Sequence, residues 1–88
     1  MRLYAHKWSK IINIGDKEFV LEVENSKETS YLFEMRVKHG NSQVDKKIAL
    51  PGEGDEDLKA DAEKSARAYS GVADEPDIVA DWTYTALS

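Results

Sequence analysis

No cysteine occurs in this chain. That absence removes disulfide staples, thiolate zinc sites, cysteine nucleophiles and iron–sulfur ligation together, so the fold must stand on packing. Histidine is nearly as scarce: His6 and His39 are the only side chains whose ordinary pKa lies near neutrality. No run approaches the roughly 20 apolar residues of a membrane span. Met1 to Gly15 carries Lys and His where a signal peptide has its apolar centre. A soluble, cytoplasmic protein with no membrane partner is expected. No internal repeat and no low-complexity segment is visible.

What is there is enough for one small core. Of 88 residues, 41% are hydrophobic and 33% charged, too apolar for a disordered tail and too short for two domains. A single domain over residues 1–88 follows. A chain of this size buries roughly 60 to 65% of its unfolded surface, which leaves little room for a deep substrate cavity and weighs against an enzyme.

The net charge of −5 conceals a division. Residues 1–52 hold nine basic and seven acidic side chains, whereas residues 53–88 hold three and ten. The break falls at Pro51-Gly52-Glu53-Gly54, and the hydrophobic period changes there too.

Before the break the period is two. Phe19, Leu21 and Val23 alternate with polar neighbours, as do Tyr31, Phe33, Met35 and Val37, the pattern of half-buried strands. Further strands are expected over about 3–14 and 43–50, giving an antiparallel meander. A two-residue turn at Gly15-Asp16 sets Ile12 opposite Phe19 and Ile11 opposite Val20. A five-residue loop at 25–29 sets Leu21 against Phe33 and Glu18 against Arg36. A four-residue loop at 39–42 sets Val37 against Val44, Arg36 against Asp45 and Glu34 against Lys47. Opposite charges then face each other, but Lys10 and Lys46 point toward the apolar side. A bulge in the first strand, or snorkelling at an edge, would release them.

After the break the period is helical. Leu58, Ala62, Ala66 and Tyr69 form a narrow stripe ended by Ser70-Gly71. Asp55 suits the N-cap, and Lys64 and Arg67 suit the end of the helix dipole. Residues 78–87 alternate again and predict a fifth strand beside the first, with Trp82 and Tyr84 near Trp8 and Tyr4. The expected architecture is α+β, with sheet order 4-3-2-1-5 and one helix on one face. Pairing of the fifth strand with the fourth is the second choice.

Motifs for chemistry fail one by one. His39 reads as an exposed turn residue and His6 as a packed or edge imidazole, and no Ser or Thr lies in a nucleophile elbow. Counted from Asp55, a calcium loop has Ala60 and Ala66 where Gly and Glu are needed. Gly52-Glu53-Gly54 opens a helix, but Asp57 replaces the third glycine of a dinucleotide turn and its carboxylate neighbours repel phosphate. Arg2, Tyr4, His6, Lys7, Trp8 and Lys10 interleave bases with rings as nucleic-acid platforms do, yet strand parity turns the rings toward the core. No cofactor, metal or direct nucleic-acid partner is expected.

Surface is what remains. Glu53, Asp55, Glu56, Asp57, Asp61 and Glu63 should concentrate negative potential at one end and attract a basic protein surface. If that surface belongs to a nucleic-acid-handling enzyme, the effect is inhibition by occupancy. In size and charge alone this is the profile of phage-encoded inhibitors, anti-CRISPR proteins among them; no motif carries a family resemblance. The alternative is an assembly subunit that self-associates through a sheet edge or an apolar patch of Ile11, Val20 and Leu32. Either is compatible with a monomer or a homodimer.

Overall fold

The computed structural model describes residues 5–26, 32–48, 55–71 and 81–87, with the backbone alone for Asp55. Strands β1 (His6–Ile14), β2 (Lys17–Asn25), β3 (Phe33–His39) and β4 (Ser42–Ile48) run in series, followed by helix α1 (Asp55–Ser70) and strand β5 (Thr83–Ala86). The sheet has five strands in the order β4-β3-β2-β1-β5, with every pairing antiparallel. The α+β architecture and strand order match the sequence reading. Leu3, Tyr4, Tyr31, Ala49, Leu50 and Ile78 to Ala80, assigned there to strands, lie outside the described residues.

One face of the sheet is covered. Ile12, Ile14, Phe19, Leu21, Val23, Met35 and Val37 pack against Leu58, Ala62 and Ala66 of α1. Alanines on the helical stripe let the backbone approach the sheet, whose larger side chains fill the space between. The stripe continues at a spacing of four to Ser70, which is buried, so Tyr69 is exposed rather than part of it. Gly71 at φ 73° ends the helix in the left-handed region, and Lys17 Nζ donates to the Ser70 carbonyl oxygen at 3.1 Å.

Registers separate what pattern determines from what it leaves open. Between β1 and β2 the tight Gly15-Asp16 turn gives Ile12 opposite Phe19 and Ile11 opposite Val20, as expected. Between β2 and β3 the pairing is four residues away from expectation, with Leu21 opposite Val37 and Glu22 opposite Arg36. An even shift keeps every side chain on its face, so alternation cannot detect it. In the structure Arg36 is surrounded by Glu22, Glu24 and Glu34 in place of the Glu18 and Asp45 expected opposite it.

Between β3 and β4 the turn has two residues, Gly40 and Asn41, and His39 faces Ser42. Val44 is then skipped, so that Val37 faces Asp45, Arg36 faces Lys46 and Glu34 faces Ile48. A one-residue bulge reverses the faces beyond it. It turns Lys46 to the side away from α1, where its Nζ lies 2.9 Å from Glu34. The bulge that releases Lys46 is therefore in the fourth strand, while Lys10 stays on the helix side.

Candidate interaction surface

The acidic residues singled out from the sequence do not form one cluster. Glu56 and Asp57 are exposed in the first turn of α1. Glu56 accepts from Lys59 Nζ at 3.1 Å, one turn along. Asp61 turns toward β4, where Lys47 Nζ donates to it at 2.7 Å. Glu63 turns the other way and meets Lys10 of β1 and the Trp82 indole N–H, the latter at 3.3 Å. Positions 61 and 63 are roughly 200° apart around a helix, so these two flank α1 on opposite sides, each beside a lysine of the sheet. Glu53 lies outside the described residues. The expected acidic surface reduces, among described side chains, to Glu56 and Asp57. Lys59 also lies over the Trp8 ring, its ammonium 4.4 Å from the centroid.

The apolar trio separates as well. Ile11 and Val20 are directly opposed on the face away from α1. With Ser9, Asp81 and Thr83 they line a cleft of about 400 Å³. Leu32 precedes Phe33, whose partner is Asn25, five residues along β2 from Val20 and hence about 17 Å away.

Much of the rest of that face is charge, a feature the sequence reading missed. Glu22 is buried at the centre, against Lys7, with Lys38 Nζ at 2.7 Å and Arg36 Nε at 3.6 Å. Burial pushes its carboxyl pKa up, but hydrogen bonds from Lys38 and Lys7 and the charges of Lys7 and Arg36 outweigh this and hold it below the ordinary value. Arg36 also reaches Glu24 at 2.9 Å and Glu34 at 3.7 Å. Once the β2–β3 register is known, alternation places these residues together. The loop length that fixes the register had no sequence signature.

Comparison with protein-family models, curated proteins and solved structures finds no match to this chain. The surface must therefore be read from its own chemistry. Among the described residues no three His, Asp or Glu side chains converge to hold a metal ion, and no helix is long and apolar enough to cross a membrane. His39 Nδ1 lies 3.0 Å from the Glu18 carbonyl oxygen. His6 lies among rings, 4.4 Å from Trp8 and 6.0 Å from Tyr84 between centroids.

The two sheet edges differ. The β4 edge carries Asp45, Lys46 and Lys47 and the bulge at Val44, the devices that discourage another strand from adding. The β5 edge reads Thr83-Tyr84-Thr85-Ala86, with no charge, no proline and all four residues exposed. Leu87 N–H donates to the Ala5 carbonyl oxygen at 2.9 Å. Bonding alternates along an antiparallel strand, so Thr83 and Thr85 share that inward orientation while Tyr84 and Ala86 direct their N–H and C=O groups away from β1. Tyr84 stands on the helix side, its ring 5.3 Å from that of Trp8. This meets the expectation for Tyr84 and Trp8, whereas Trp82 meets Lys10 and Glu63, and Tyr4 lies outside the described residues.

Proposed function

We propose that this chain is a non-enzymatic protein-binding module that takes an extended segment of its partner at the β5 edge. The observation that supports this reading is the asymmetry of the edges: β4 is bulged and charged, β5 is neither. An incoming strand gains main-chain hydrogen bonds from Tyr84 and Ala86, and alternate side chains supply selectivity. Tyr84, Trp8 and Lys59 form the side-chain surface on the helix side of that edge, and Thr83 and Thr85 form it on the other.

A second reading is favoured by the exposure of Glu56 and Asp57 at the start of α1, within a half of the chain that holds ten acidic residues against three basic. In it, this end docks on a basic surface of a nucleic-acid-handling enzyme and inhibits by occupancy. One binding experiment separates the two. Proteins captured by the wild-type chain from its native host are tested against Ala86→Pro, which removes an outward donor without touching the β1 ladder, and against Glu56→Lys with Asp57→Lys. Edge binding is lost in the proline variant and survives salt. Acidic docking is lost on charge reversal and fades between about 0.1 and 1 M salt, as the Debye length falls from ~10 to ~3 Å. Capture unchanged by Ala86→Pro defeats the edge reading.

A further inference from the structure

We propose that a second copy of this chain occupies the β5 edge, related by a two-fold axis at Tyr84, so that two five-stranded sheets join into one of ten strands. This rests on the edge reading above and commits it to a partner.

The strand's own sequence carries the inference. Closed symmetric contacts pair a surface with itself, so the strand must be complementary to its own reversal. Thr83-Tyr84-Thr85 reads the same in both directions. Antiparallel pairing about Tyr84 sets Tyr84 opposite its copy and each Thr83 opposite the other chain's Thr85. Thr–Thr and aromatic pairs both stabilise such ladders. One step outward, the large Trp82 faces the small Ala86 of the other copy. No like charges meet within this stretch. The backbone agrees: Tyr84 directs its N–H and C=O outward, so the two copies of Tyr84 form a hydrogen-bonded pair, and Trp82 with Ala86 forms the next. Residues directly opposed across strands share a face, so both helices lie on the same side of the joined sheet. The Ile11 and Val20 pairs then line the other side.

Electrostatics supplies a sign that distinguishes this partner from a basic one. Each copy carries −5, so two copies repel at long range, and salt that screens this strengthens their association.

The test is analytical ultracentrifugation of the whole chain across roughly the micromolar to millimolar range, in low and high salt. A monomer–dimer equilibrium that tightens with salt is expected, with Tyr84→Lys and Ala86→Pro monomeric and still folded by circular dichroism. Register is tested separately, because the chain has no cysteine of its own. Opposed Cα atoms of a hydrogen-bonded pair lie ~5.5 Å apart, within disulfide reach. Tyr84→Cys should therefore cross-link to its copy on mild oxidation, and Thr83→Cys should not. A wild-type chain that stays monomeric throughout, with Tyr84→Cys failing to cross-link, overturns self-pairing. The edge reading stands or falls separately, since loss of a different partner by Ala86→Pro would uphold it even then.

Discussion

Lys10 leaves the helix-covered face of β1 and ends against Glu63 of α1, and the same carboxylate oxygen accepts the Trp82 indole N–H. Lys10 is itself buried, with its ammonium 4.8 Å from the centroid of the Trp82 ring. One carboxylate thus ties the first strand, the helix and the approach to the last strand. In the sequence Lys10 is an anomaly, a charge where the pattern calls for an apolar residue. The structure resolves it by aiming Glu63 inward, which costs the helix one of its solvent-facing acids.

Removing one member of a buried pair leaves the other desolvated, whereas replacing both with apolar groups of similar size does not. Glu63→Leu or Lys10→Met alone should each lose about 1 to 3 kcal/mol, moderated because Glu63 is 26% exposed. Lys10→Met with Glu63→Leu should recover most of that loss. Urea unfolding of the four proteins closes the double-mutant cycle. Additive losses would mean that the pair contributes nothing as a pair.

Glu22 gives the fold an acid-sensitive point. Its carboxyl is held below the ordinary value because the hydrogen bonds and charges of Lys38, Lys7 and Arg36 outweigh desolvation. A depressed native pKa contributes stability that is present above the unfolded value, about 4.3 for glutamate, and is lost as pH falls through the lower native one. Unfolding midpoints of the wild type should fall with acidification in that window, and Glu22→Gln, already weaker at neutral pH, should fall less steeply. Parallel curves would show that other carboxylates carry the acid response.

How far the sequence could be read depended on whether a feature was fixed by period or by length. Alternation in β1 to β3 and the four-residue spacing of Leu58, Ala62 and Ala66 determine which faces are buried, because burying apolar surface dominates folding. Strand order followed from the tight turns and the aromatic match of Trp8 with Tyr84. The β2–β3 register did not, since a shift of four leaves every side chain on the same face. The Val44 bulge reverses faces within a short strand and leaves no compositional trace. Those two features assemble the ion lattice around Glu22 and Arg36 and turn Lys47 toward Asp61. Treating the acids of α1 as one solvent-facing set overlooked that a helix lying on a sheet has two flanks, each within reach of a lysine.

Arg36 separates two carboxylates that the register places in direct opposition, Glu24 and Glu34. Like charges facing each other across strands destabilise a sheet. Arg36→Met keeps the aliphatic stem but exposes that repulsion, and should lower stability by about 1 to 2 kcal/mol in low salt. Partly exposed groups are screened, so thermal unfolding at low and high salt should show the deficit shrinking as salt rises. A deficit independent of salt would assign the arginine's role to packing.

Gly71 isolates the contribution of a single backbone conformation. It sits just past α1 at φ 73°, and a methyl group built there meets nothing within 4 Å. The cost of Gly71→Ala is therefore the left-handed strain alone, about 1 kcal/mol. For a domain of this length that corresponds to a fall of roughly 4 to 8 °C in Tm. Gly71→Asn, which tolerates this region better, should lose less. Gly40, at φ 61° in the β3–β4 turn with equally open surroundings, should respond to alanine by a similar amount. If Gly71→Ala is neutral, the helix can end elsewhere at no cost, and the hydrogen bond from Lys17 to the Ser70 carbonyl cannot be fixing its last turn.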